Sequence, residues 1–195
     1  MYDKTPKEIL HKFYVDNNLD IDGGQNSSSV KIEVTKQFHF YFPNFDARRK
    51  AVIKHDIHHL VTGYSASSIA GESEISAWEI ASGCKSYWAA FLIDTSGVMI
   101  GIPINFFGVL KAFARGRRTK NLYHDQFSTE TAMEMSLDKL RELLLLDVHP
   151  INTKVTVKDV ILFSVFVFFG LIYSLVSLIL LPFIIMYTIF CWLTK

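Results

Sequence analysis

Positions 55–59 read His55-Asp56-Ile57-His58-His59, three imidazoles and a carboxylate within five residues. On a helix His55, Asp56 and His59 fall within an arc of about 100°, and His58 widens it to about 160°. Residues four apart stand one above the other, so His55 and His59 can share one ion. Imidazole nitrogens with a carboxylate suit Zn²⁺, or Fe²⁺ and Mn²⁺ if more oxygens join. Further ligands can come from the acids that follow: Glu72, Glu74 and Glu79. The short turn 64–71 can fold Glu72 back toward the histidines, and Glu79, two helical turns on, is a reserve ligand or an outer partner. The same residues could instead form a surface histidine cluster or a hydrogen-bonded core network.

Two enzyme signatures share these letters. His-x-x-His-His is the box of membrane desaturases and hydroxylases, but that chemistry needs further histidine boxes. The other four histidines, His11, His39, His124 and His149, are scattered singly. The His-Asp pair also occurs in HD phosphohydrolases, where His39 and Asp94 would have to supply the separate ligands, a weaker match.

The elements that must position these residues follow from pattern. Thr5 to Tyr14 has an amphipathic helix spacing. Residues 20–29 are loop-like, and 30–42 alternate in a period of two, as one long strand or a hairpin. Asn44 or Asp46 can cap the helix carrying the histidines, predicted over 46–63, and a second runs from Glu72 to Ser82, stopped by Gly83. Two apolar helices are expected near 87–95 and 105–114, broken by Gly97, Gly101 and Pro103, and a last one behind Ser136.

The hydrophobic half of the chain is unevenly spread. From Val160 to Leu193 there is no charged residue, and without that tail the apolar share falls to roughly 43%, ordinary for a globular domain. Val160 to Leu181 alone is long enough for a bilayer core. The run continues past Pro182, so either one span with an interfacial end or a shallow hairpin bent at Pro182 is expected. Lys154, Lys158 and Lys195 flank it, which favours both ends cytoplasmic. The N-terminus has no signal-peptide pattern. One cysteine in the body, Cys84, cannot form an internal disulfide, so a reducing compartment is expected. Twenty basic against nineteen acidic residues, net charge +1, argue against nucleic acid as a partner.

Residues 44–83, from Asn44 through Ala47-Arg48-Arg49, the histidine run, Thr62-Gly63-Tyr64, Gly71-Glu72-Ser73-Glu74 and Ala77-Trp78-Glu79, resemble the ubiquinone biosynthesis family of coenzyme Q biosynthesis protein 4. Its marker is His-Asp-x-x-His followed by a glutamate. The resemblance implies zinc held by His55, Asp56, His59 and Glu72, a mostly helical fold and peripheral membrane association. It further implies a role in assembling ubiquinone-pathway proteins and in removing the ring carboxyl of a polyprenylated precursor. Twelve residues, Leu60 to Gly71, separate His59 from Glu72 here, one more than in the family, and the apolar tail is also atypical. The chain reads as a divergent, bacterial relative.

The expectation is therefore a mainly α helical bundle with a small β element near 30–42. Residues 1–146 form the metal-binding domain, 147–158 a linker and 159–195 a membrane anchor. His58 and Glu79 are expected behind the ligands, as proton carriers or outer partners. An apolar stretch from Trp88 to Phe113 is core or a lipid groove. Lys111, Arg115, Arg117, Arg118 and Lys120 follow it, and Arg115, Arg117 and Arg118 are candidates for anionic lipid. Two functions fit: a metal-dependent enzyme acting on a membrane-borne polyprenyl ring, or a lipid-binding scaffold whose metal is structural.

Overall fold

A computed structural model describes residues 4–17, 20, 22–33, 39–124 and 128–194. Eight helices and one two-stranded sheet occur among them. In chain order they are α1 (Pro6–Asp16), β1 (Ser29–Glu33), β2 (His39–Pro43), α2 (Asp46–Thr62), α3 (Ile69–Ser82), α4 (Trp88–Gly116), α5 (Thr129–Glu134), α6 (Leu137–Leu143), α7 (Val157–Leu178) and α8 (Leu181–Leu193). The alternating run is a hairpin, with β1 antiparallel to β2 and Val30 opposite Phe42. Residues 34–38 of that run, and Lys195, lie outside the described residues.

Neither expected cap is used by α2. Phe45 occupies the cap position without a side-chain bond, and Asn44 instead donates from Nδ2 to the Gly24 and Ser27 carbonyls, tying down the preceding loop. The next helix starts one turn early, at Ile69, because Ser68 accepts from the Gly71 amide. The sequence pattern does not predict α5, which is capped by Ser128 accepting from the Thr131 amide. Ser136 caps α6 as expected.

The largest departure is α4. Its helix runs through Gly97, Gly101 and Pro103 and breaks at Asn105, whose φ of −147° and ψ of 57° are not helical. Pro103 removes one backbone donor, and Asn105 Oδ1 accepts from the Gly108 amide at 3.2 Å, capping the second limb. The two limbs, 88–104 and 106–116, fold back on one another. A Cβ placed on Gly101 would lie 3.1 Å from Val109 Cγ2, although eight residues of straight helix span about 12 Å.

Both limbs clasp α3. Cβ atoms on Gly97 and Gly101 would overlap Ser76 and Ser73, while one on Gly116 would meet the Trp78 carbonyl. The glycines let the backbones approach; they do not break the helix. Trp78 is fully buried at the centre and donates from Nε1 to Thr119 Oγ1 at 2.8 Å. Ile57, Val61, Ile75, Val98 and Leu122 pack around it.

The apolar tail is two helices, with the break ahead of Pro182, which lies in the first turn of α8. By length and composition α7 is long and apolar enough to cross a membrane, and α4 reaches that length only when its two limbs are counted together.

Candidate metal centre

α2 presents His55 and His59 one turn apart, and the head of α3 brings Glu72 against both. His55 Nε2 and His59 Nε2 are 3.2 Å apart. Glu72 Oε2 is 3.5 Å from the first and Oε1 is 3.3 Å from the second. Gly71 makes that approach: a Cβ there would overlap the Ser65 carbonyl, so the turn 64–68 closes tightly only over glycine.

Each ring is fixed from behind. His59 Nδ1 faces the Tyr64 carbonyl at 2.9 Å, a partner that can only accept, so Nδ1 carries the proton. His55 Nδ1 lies 3.1 Å from both oxygens of Glu79 and donates to them. Both Nε2 lone pairs therefore point at each other and at a carboxylate. Three acceptors facing inward repel unless a cation or a proton lies among them.

The spacing suits a cation. Two ligands each about 2.0–2.1 Å from one tetrahedral ion stand about 3.3 Å apart, and the three separations of 3.2, 3.3 and 3.5 Å bracket that value. His55, His59 and Glu72 thus form a group that could hold a metal ion. A proton can take the same place. Burial opposes charge on His55, but the Glu79 carboxylate, with bonds to Glu72 and Glu79, holds its pKa well above the ordinary imidazole value. Burial likewise opposes charge on Glu72, yet the two histidines hold its pKa down to about 2.

Asp56 does not join this group. Its carboxylate accepts from the Tyr14 hydroxyl of α1 at 2.9 Å, and it belongs to neither of the donor groups found among the described residues. Adjacent to His55 but about 100° round the helix, it is turned toward α1. Burial raises its pKa to about 6, against the opposing pull of His55 and the Tyr14 bond.

Glu79 is the hub behind the site. It is sealed from solvent and receives His55, His58 Nδ1 and, at 3.2 Å, the Tyr123 hydroxyl. Asp94 of α4 completes a second donor group with His55 and Glu79. His58 cannot carry protons to a substrate. Its Nε2 accepts from the Leu122 amide at 2.9 Å, its Nδ1 is engaged by Glu79, and the side chain has no exposure. Burial accordingly holds its pKa below the ordinary value.

The basic candidates are occupied. Arg115 is 1% exposed and donates to the His149 and Thr62 carbonyls, at 2.8 and 3.0 Å, so it is an internal tie rather than a lipid contact. Arg117 and Arg118 both pair with the buried Asp159 at the head of α7, Arg118 at 2.7 Å. Sequence reasoning missed Tyr14 and Tyr123, which reach the histidine helix or its partners from distant segments, and the Tyr64 carbonyl just past the end of α2.

No protein-family model, curated protein or solved structure matches the chain.

Proposed function

We propose that the chain is a membrane-associated metalloenzyme in which His55, His59 and Glu72 hold one divalent cation, most simply Zn²⁺, and that it acts on an isoprenoid-tailed ring such as a ubiquinone precursor. The convergence of two oriented imidazole nitrogens and one carboxylate at tetrahedral spacing carries the metal part of this reading. The substrate class follows the resemblance of residues 44–83 to the ubiquinone biosynthesis family.

An open donor set favours catalysis over a structural role. Structural sites are closed by four protein ligands, whereas catalytic ones keep a position for water or substrate. Three side chains converge here, and the third, Glu72, is 43% exposed, so the group faces outward on that side. When bound, the metal supplies Lewis-acid polarisation of a carboxylate or a coordinated water. The protein orients the donors: Glu79 fixes the plane of His55, and the Tyr64 carbonyl fixes that of His59. Phe13, with its ring centroid 6.1 Å from that of His59, provides an apolar flank.

The test is turnover. The full chain, loaded with zinc in phosphatidylcholine–phosphatidylglycerol vesicles, is offered a polyprenylated aromatic acid, and release of the ring carboxyl as carbon dioxide is followed. The proposal expects release by the wild type and none by His59→Ala. Equal release by both, or none by the wild type with no prenyl lipid co-purifying, would contradict it.

A further inference from the structure

The contacts of α7 run along its length. At its head Asp159 pairs with Arg117 and Arg118. One turn later Phe163 meets Phe106 and Phe113, with ring centroids 6.0 and 5.2 Å away. Further on, Gly170 is packed against Met99 so closely that a Cβ would lie 2.7 Å from its Cε. Finally, the Tyr173 hydroxyl donates to the Leu92 carbonyl at 3.2 Å. The head of α7 thus meets the second limb of α4 and its end, and residues 170–173 meet the first limb, so the middle of α7 lies at the level of the stretch around Met99 and Gly101 that packs on α3. The tail does not leave afterwards: Thr188 of α8 bonds the Tyr41 amide of β2 at 3.2 Å.

This ladder is incompatible with an upright span. Twenty-two residues of α7 stretch about 33 Å, the thickness of a bilayer core. Were α7 to cross, Gly170 and Met99 would sit well inside the hydrocarbon. Gly101 would be there too, together with Ser73, against which it packs. Glu72, next to Ser73, and Glu74, which accepts from Asn105 at 2.9 Å, would follow into lipid depth, where ionised groups are strongly disfavoured.

We infer that α7, α8 and the outer side of α4 form one apolar platform that lies in the plane of the membrane and embeds in a single leaflet, with the metal centre held on the side away from the lipid. The exposed surface fits that partner. Ile161, Phe168 and Leu175 recur every seven residues on one face of α7, and each is more than half exposed. Ile93, Ile100, Ile104 and Phe107 continue the apolar surface along α4. It is far more than the scattered exposed residues of a soluble surface.

The inference rests on the membrane association proposed above, and nitroxide depth measurements separate the two. Ile161→Cys, Phe168→Cys and Leu175→Cys are labelled one at a time in the full chain on phosphatidylcholine–phosphatidylglycerol vesicles, with the wild type as blank because Cys84 and Cys191 are buried. All three side chains are exposed, so the substitutions disturb little packing. In-plane seating predicts that all three are accessible to oxygen, shielded from a nickel chelate and at one common shallow depth. A Phe168 label about 10 Å deeper than the Ile161 label, as seven residues of upright helix require, would overturn the inference while leaving association intact. Spin–spin broadening with poor oxygen access would also overturn it, because a second copy and not lipid would then cover the face. No vesicle binding at all would sink both readings.

Discussion

His55 and His59 face each other through their Nε2 atoms across 3.2 Å, with each ring's other nitrogen fixed by a partner that accepts a proton. Such a pair holds two lone pairs in opposition and is at rest only around a positive charge. Glu72, within 3.5 Å of both, adds the negative charge that makes the position attractive to a divalent ion.

Removing a donor separates the ligands from their neighbours. His59→Ala and Glu72→Gln are each expected to weaken zinc binding by more than the about 10–100-fold that loss of an outer partner costs. Asp56→Asn is expected to stay within that range, since Asp56 answers Tyr14. Isothermal titration on the three variants checks this, and an Asp56→Asn loss equal to that of His59→Ala would return Asp56 to the ligand set.

The effect of pH should change sign with metal. A group whose pKa rises on folding contributes stability that is complete below its unfolded value and is lost as pH climbs through its folded one. His55 is such a group. Glu72, lowered to about 2, contributes above its ordinary value near 4.5 and loses that as pH falls toward 2. The contribution of the His55–Glu72 pair to metal-free stability, read as the difference between the wild type and Glu72→Gln, should therefore be greatest between roughly pH 4.5 and 6.5 and fall above it. With excess zinc the trend above pH 6.5 should reverse, because the metal displaces the His55 proton. Thermal unfolding across pH, with and without zinc, reads both slopes.

Glu79→Gln removes the buried charge that orients His55. Breaking a buried ionic cluster from one side costs about 3–5 kcal/mol, and the misoriented imidazole should weaken zinc binding by about 10–100-fold. Denaturant titration and calorimetry on the same variant measure the two losses. A change in stability with unaltered affinity would make Glu79 purely structural.

The clasp of α4 on α3 is testable at Gly101. Gly101→Ala places a methyl against Ser73, and overpacking of this kind costs about 1–3 kcal/mol. Ser73→Gly in the same chain should restore most of it, a coupling that a double-mutant cycle isolates.

Much of this was legible before the fold was known, but unevenly. His55 and His59 follow from a spacing of four on a helix, and Glu72 from the short turn that Gly71 tightens. Asp56 stands outside that group because it accepts from Tyr14, 42 residues away, a partner that no local pattern announces. Gly97 and Gly101 suggest helix breaks by type, whereas they serve close packing and the chain turns at Asn105. Arg115 sits in a charge run that looks solvated, yet backbone carbonyls of Thr62 and His149 draw it inside. The apolar tail is plain from composition. Its course along α4 depends on contacts such as Tyr173 to Leu92, 81 residues apart.

X-ray absorption on the zinc-loaded full chain measures the first coordination shell of the ion. The expected spectrum shows one zinc per chain with imidazole scattering from two histidines and a light-atom shell at about 2.0–2.1 Å, and with Glu72→Gln that shell is altered or the zinc lost. A chain that retains no zinc, or a shell without histidine that His59→Ala leaves unchanged, would contradict the shared cation among His55, His59 and Glu72.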